Sequence, residues 1–494
     1  MRVLWSGQPL SRAGSLPTLK CVPPWERACS RRRLDRHRKN LLNAATASGE
    51  QWRSHPKTSI TDHTMNIQTS NSAGTLDFDF GANGVAMITV PPYPSASIHG
   101  VEIGPDKKIY FVAAQPVAFP TQYILGRLLS DGKVDTDFGK SGFVIGNFPG
   151  FALSTDGVQS LTIQPDGKII VHCIVKGSAG QNAAAFCRYD AQGQPDTDFG
   201  TNGQTVLDII LSPPAVAPST VKPQSFEGNA TTPLSVEVLP NGKLLASHHY
   251  SFDWQQSHGL IIRLNENGTL DTDFNQIGYI AVIHPRYLLG NTVLLNLMVQ
   301  ADGKYLGCGN VGELSEPLSS AMFVRYDTSG KLDRTFGEGG FVTIASDAHS
   351  LLIRSMVLQP NQHILGVGYT TREPAVLISI KANGEPDGEF NGGNPLFTKL
   401  EESAFTTWLV GRIQTDGKAV VAGGVRNGNE GYIVIARFID EQFDPSFNYP
   451  HGWVRTELGS GLHVATGLTL QEDGKILICA RLPDGKIGLL RYHA

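Results

Sequence analysis

Apolar and polar positions in this chain follow a strand-and-turn rhythm, not a helical spacing. Residues 158–175, "VQSLTIQPDGKIIVHCIV", hold two apolar runs of strand length around a polar Asp-Gly turn, where glycine supplies the positive φ of a tight hairpin. A third run, "AAAFCRYD", follows, and beyond the polar "AQGQPDTDFGTNG" comes a fourth, "QTVLDI". This pattern predicts one sheet of four antiparallel strands. Runs such as "KIIVHCIV" are apolar on successive residues, which requires burial on both faces, as when sheets stack radially.

The unit recurs, and a fixed period signals a repeat architecture. Its turn returns at Asp106, Asp166, Asn241, Asp302, Asn361, Asp416 and Asp473, and Asp-x-x-Phe returns at Phe80, Phe138, Phe199, Phe274, Phe336, Phe390 and Phe447. Successive phenylalanines lie near 60 residues apart. The ordered part begins with a lone Asp-x-x-Phe and fourth strand, "TLDFDFGANGVAMITV", and ends with strands one to three, "ATGLTLQEDGKILICARLPDGKIGLLRY". Together these fragments complete one further sheet. The expected fold is therefore all-β, a seven-bladed β-propeller of four-stranded blades closed by the N-terminal outer strand joining the C-terminal blade.

The succession Q-x-D-G-K, then R-Y, then L-D-x-x-F-G-x-x-G, resembles the delta-60 repeat of bacterial proteins and is similar in phase to NHL-type propeller repeats. The resemblance spans residues 74–494 and implies a propeller-like fold without an assigned chemistry. Asp106-Lys107-Lys108 and Asn361-Gln362-His363 lack the turn glycine, so a different geometry is expected there.

What recurs in every blade is expected to build the blade. Asp135, Asp196, Asp271 and Asp333 can fix the turn before the outer strand by accepting backbone amides, and Phe138, Phe199, Phe274 and Phe336 then wedge between blades. Arg127, Arg188, Arg263 and Arg325 each precede that Asp by eight residues, which suggests one Arg–carboxylate pair per blade. Ser379 replaces the arginine in one blade, leaving Asp387 as the expected least constrained of the set. Paired carboxylates in "PDTDFGTNG" also begin calcium loops, but no further oxygen ligands follow at the required positions.

Function is expected on the opposite face, where second-to-third loops and blade links vary. One blade stands out there. Its entry link is residues 212–233, and "SHHYSFDWQQSHG" concentrates His248, His249, Tyr250, Asp253, Trp254 and His258. Such a cluster suits a sugar, an aromatic ligand or a metal. A loop folded over its own blade, with Tyr250 and Trp254 inward, is the preferred account because no partner constellation is visible. His99, His349 and His463, with Asp347, Glu401 and Glu402, form a second candidate, a channel-mouth metal or acid–base site.

Charge narrows the partners. Residues 1–64 carry 12 Lys+Arg against 4 Asp+Glu and have no fold pattern; they are expected to be a disordered basic extension, or to precede a start at Met65. Residues 65–494 carry 29 against 41, and this acidic body argues against nucleic acid or an anionic membrane as partner. Cys173, Cys187, Cys308 and Cys479 fall in apolar runs as small buried hydrophobes, and no cofactor or metal motif is seen. With no secretory or membrane-spanning segment visible, a cytoplasmic monomer is the default. The sequence supports a non-enzymatic scaffold for a protein or carbohydrate partner; a lactonase- or hydrolase-type propeller enzyme is the alternative.

Overall fold

The computed structural model describes residues 71–494, apart from 92, 94, 116–120, 213–233, 253–255, 289, 314–317, 372 and 484. The chain divides into two units, 1–67 and 68–494, and every described residue belongs to the second. The basic segment 1–64, and all of the long link but Ser212, lie outside the described residues.

Strand follows strand throughout. After β1 (Val85–Ile88), a four-stranded antiparallel sheet runs in the order β2 (Ser97–Ile103), β3 (Ile109–Ala114), β4 (Tyr123–Leu128), β5 (Phe143–Gly146). A second repeats that order with β6 (Leu153–Ile163), β7 (Ile169–Lys176), β8 (Asn182–Tyr189) and β9 (Gln204–Leu207). Next come β10 (Val236–Val238), β11 (Leu244–Ser251), β12 (Ser257–Leu264) and β13 (Tyr279–Val282), then β14 (Asn291–Val299), β15 (Tyr305–Gly312), β16 (Ser320–Tyr326) and β17 (Phe341–Ile344). These two sets form one eight-stranded sheet, because Ser257 and His258 of β12 make a short parallel contact with Asn291 and Thr292 of β14.

The order then resumes with β18 (Leu351–Leu358), β19 (Ile364–Thr370), β20 (Ala375–Ile380) and β21 (Leu396–Thr398). It continues with β22 (Phe405–Ile413), β23 (Ala419–Asn427), β24 (Glu430–Ile439), the two-residue β25 (Gln442–Phe443) and β26 (Trp453–Thr456). Finally β27 (Val464–Leu470), β28 (Ile476–Arg481) and β29 (Ile487–Tyr492) take β1 as their outer strand, with Val85 opposite Leu490 and Ile88 opposite Ile487.

The core lies between sheets rather than inside any one. Middle strands such as β3, β4, β15 and β16 are buried along their whole length. Val112 and Tyr123 of the first sheet pack with Leu161 and Val171 of the second, and Ile170 and Phe186 of the second with Leu244 and Ile262 of the next. The last sheet packs on the first, through Leu477 and Leu489 against Ile98 and Phe111. A strand with apolar neighbours on both faces has no need to alternate polar and apolar residues.

The repeated polar residues join strands and sheets. Each arginine donates from Nε to the Asp of its own set at 2.5–2.8 Å, as Arg127 does to Asp135, Arg188 to Asp196, Arg263 to Asp271 and Arg325 to Asp333. The same carboxylate oxygen takes the turn lysine at 2.7–3.3 Å, through Lys108, Lys168, Lys243 and Lys304. The guanidinium also covers the Phe ring at 4.6–4.7 Å, on Phe138, Phe199, Phe274 and Phe336. Its Nη1 reaches into the following set, where Arg263 donates to Thr328 O and Arg325 to Ala382 O, both at 2.6 Å. Burial opposes ionisation of Asp135, but Lys108, Arg127 and the Asp137 amide together hold it below the usual carboxylate range.

One expectation is corrected and a second qualified. Lys107 and Gln362 adopt φ of 62° and 67°, the left-handed region that Gly167 occupies at 84°, and their amides donate to Gly104 O and Gln359 O as that of Gly167 does to Gln164 O. The turn geometry is kept without glycine, because the hairpin bonds on both sides dictate it. Asp387 is not short of donors either. Ser379 Oγ lies 2.7 Å and His363 Nδ1 2.8 Å from its Oδ2, and the Glu389 amide donates to Oδ1 at 3.2 Å. Histidine stands where other sets place lysine, and serine where they place arginine.

Candidate functional site

The first strand carries a bulge in every set but that of β10. Register slips between Ile98 and Gly100, Val158 and Ser160, Leu294 and Asn296, Ile353 and Ser355, Trp408 and Val410, and Ala465 and Gly467. The residues caught in these slips are His99, Gln159, Leu295, Arg354, Leu409 and Thr466, all buried. An extra residue in one strand breaks the alternation of faces and re-aims a side chain. Here His99, Arg354, Leu409 and Thr466 reach a cavity of about 470 Å³, whose walls come from the first strand of every set, from β2 round to β27, with Leu234 and Ser235 just ahead of β10.

Below the bulges this cavity is charged. Glu102, Glu237 and Arg412 line it, with Arg412 Nη2 3.9 Å from Glu102 Oε1. Burial pushes the Glu237 carboxyl up to about 7; Arg412 opposes the shift and the neighbouring Glu102 adds to it. Glu102 is raised too, by burial against the pull of Arg412 and a Thr469 hydrogen bond. At the bulge level, burial and then Arg481 push His99 down to about 3, so its ring is neutral at physiological pH.

A second cavity, of about 780 Å³, opens at the other end of β22 and β27, where the set-to-set links and second-to-third loops lie. Its apolar lining includes Tyr369, Phe405, Leu409, Val425 and Leu462, and its polar lining Glu373, Thr407, Arg426, His463 and Arg481. Arg426 is exposed and donates from Nε to Gly428 O at 2.9 Å, and His463 Nδ1 lies 3.0 Å from Gly431 O. Leu409 and Thr466 border both cavities, so the bulge level is the partition between them.

The histidine-rich segment is shorter as a loop than its composition suggests. His248, His249 and Tyr250 belong to β11, and His258 pairs opposite Tyr250 on β12. His248 is 1% exposed with Nε2 3.1 Å from Asn182 O, and Tyr250 OH accepts from the Leu211 amide at 3.2 Å. Phe252 packs against both Tyr250 and His258. Asp253 and Trp254 lie outside the described residues. The channel-mouth candidates also stay apart: His99 faces the first cavity, His463 the second, His349 stands against Phe397, and Glu401 pairs with Arg455. Among the described residues no three His, Cys, Asp or Glu side chains are grouped to hold a metal. The Asp-x-x-Phe carboxylates are occupied by lysine and arginine, except Asp387, which Ser379 and His363 hold.

Sequence reasoning missed Glu102, Glu237, Arg354 and Arg412. A signal was present, since Glu102, Glu237 and Arg412 each stand four residues before the turn residues Asp106, Asn241 and Asp416, where other repeats carry Thr162, Met298, Val357 and Thr469. A charge at an otherwise uncharged repeat position marks a departure from pure scaffolding.

The family described as "Domain of unknown function (DUF5122) beta-propeller" matches residues 164–199 and 239–274, which span the second and third sets from their first turn to the Asp-x-x-Phe. The chain thus carries β-propeller repeats. No curated protein matches its sequence. Similar solved structures include a protein of unknown function from Dyadobacter fermentans, 12% identical, over 83% of this chain and 98% of that one, with a TM-score of 0.44. Others are the polysaccharide lyase Uly1, at 9%, 86%, 98% and 0.44, and the GH93 α-L-arabinofuranosidase of Fusarium graminearum, at 11%, 83%, 97% and 0.41. At these TM-scores none carries an argument about activity.

Proposed function

We propose that the sets form a closed ring of seven blades serving as a non-enzymatic binding scaffold, which takes a carbohydrate or a protein segment on its variable face. Closure is supported by β1 pairing with β29, by the last sheet packing on the first, and by one cavity bounded by seven first strands.

The observation that carries the binding role is the unequal use of the two faces. On one, the repeated carboxylates are held by their own turn residues, by lysine and arginine in every set but that of Asp387, where His363 and Ser379 do so. On the other, a cavity of about 780 Å³ opens with an apolar lining and polar groups on the variable segments. That volume falls in the range of small-ligand sites, and rings such as Tyr369 and Phe405 beside hydrogen-bonding groups suit a sugar or a peptide end.

Glycan and peptide arrays probed with the full chain test this reading. Arg426→Ala and Leu462→Ser alter exposed residues at this cavity and are expected to weaken the captured ligand at least tenfold. A ligand indifferent to both substitutions, but lost when the exposed Lys133 of the repeated-turn face is replaced, would refute it.

A further inference from the structure

The cavity among the first strands contains one charge of each sign that the protein leaves unmatched. Arg354, on β18, is 5% exposed, and one Nη of its guanidinium is held by Tyr369 OH. Its Nε has no partner, and no described carboxylate lies within ion-pair distance. Glu237, beside β11 on β10, lines the same cavity and makes no hydrogen bond or ion pair among the described residues. Arg412, the cation whose field it feels, is engaged with Glu102. Ser160, on β6, also lines the cavity, and its enclosed hydroxyl has no partner.

Arg354 is withdrawn from water, and a charge so placed is normally paired, since an isolated one costs several kcal/mol; Glu237, half-buried, faces the same cavity without a partner. Arg354 and Glu237 do not meet the requirement through each other. Arg354 sits at the bulge of β18 and Glu237, on β10 of a different set, lies three residues nearer the turn, an offset of roughly 10 Å along the strand direction alone. Something bearing both signs, at a distance, would complete the site.

We propose that this cavity binds a small zwitterion whose charges are several bonds apart, a short peptide or an ω-amino acid, with its carboxylate on Arg354 and its ammonium on Glu237. With Nε enclosed and one Nη bonded to Tyr369, the other Nη of Arg354 remains for a carboxylate, a charge-assisted bond. The offset favours a ligand whose charges are several bonds apart over an α-amino acid, which makes length the expected specificity determinant. A cavity of about 470 Å³ accommodates two or three residues of peptide. Leu409 and Thr466 separate this site from the variable-face cavity, and failure here leaves the scaffold reading standing.

Isothermal titration of the full chain with glycine, 4-aminobutanoate, 6-aminohexanoate, glycylglycine and triglycine tests the proposal, with butanoate and butylamine as singly charged analogues. At least one extended zwitterion is expected to bind tenfold or more tightly than glycine or either analogue. Glu237→Gln and Arg354→Gln should each weaken that ligand at least tenfold, while Glu472→Gln, on the outer surface, leaves it unchanged. Glu237 is only partly buried, and circular dichroism of its variant verifies the fold independently of Arg354. Silence toward every zwitterion at millimolar concentration, equal binding of a singly charged analogue, or indifference to Glu237→Gln would overturn the assignment.

Discussion

Arg491 Nε donates to Asp77 Oδ2 at 2.7 Å, joining residues 414 positions apart. Asp77 is 2% exposed and also holds Lys475 at 3.0 Å, so the carboxylate at the start of the fold is neutralised by the end of it. Arg491→Met strands that carboxylate with a single cation. Breaking a buried pair typically costs 3–5 kcal/mol, and with Lys475 still present a loss of about 3 kcal/mol is expected in denaturant unfolding. Removing the exposed Lys133–Asp131 pair should cost far less. Equal losses would show that the terminal junction is not under special load.

The first-turn positions give a backbone prediction. Gly167 has φ of 84° and no close neighbour for an added Cβ, so Gly167→Ala should cost only the left-handed penalty, about 1 kcal/mol. Lys107 and Gln362 already bear that penalty, and changing either to glycine should stabilise the protein by up to about 1 kcal/mol. Urea midpoints of the three variants check both signs.

Acid sensitivity should come from buried histidine before carboxylates titrate. Burial pushes His248 down to about 4, against a weaker opposing bond from Asn182 O. The folded state therefore keeps the ring neutral while the unfolded chain protonates it near 6.5. The full stability is present above pH 6.5 and is lost as pH falls from there toward 4, on the order of 3 kcal/mol for this residue. His249 is pushed to about 4 for the same reason and adds to the slope. His248→Gln keeps a donor for Asn182 O and should flatten stability measured between pH 7 and pH 4.5; an unchanged profile would contradict the assignment.

Glu237 acts with the opposite sign. Its carboxyl is raised to about 7, so ionisation is disfavoured in the folded state and the protein should weaken as pH rises from about 4.5 through 7. Glu237→Gln should raise stability by about 1–2 kcal/mol at pH 8 and leave it unchanged at pH 4, a smaller gain than full burial would give because the side chain is partly open to the cavity. Melting temperatures at the two pH values provide the comparison. A stabilising loss of a native charge is the signature of a residue kept for binding rather than for folding.

Much of the scaffold was legible because its signals are local or periodic. The Asp-Gly-Lys turn, the Asp-x-x-Phe turn and the arginine eight residues before it meet in the structure as in the spacing, since strand pairing over so few residues leaves few alternatives. The exceptions erred toward too much weight on residue identity. Lys107 and Gln362 lack glycine's freedom yet take its conformation, and Asp387 keeps its donors although arginine is replaced. The histidine-rich segment misled in the same way, because cross-strand pairing of Tyr250 with His258 extends the hairpin through residues that read as loop.

The order of strands and turns, and the all-β character, were determined by the sequence alone, through the apolar rhythm and the left-handed positions that neighbouring backbone bonds demand. Which charges share a cavity was decided only by the tertiary structure. Glu237 and Arg354 are each unremarkable in their own strands, and nothing local relates them. Their coupling depends on desolvation and on distance through space, which exist only after separate sheets have packed around a common cavity.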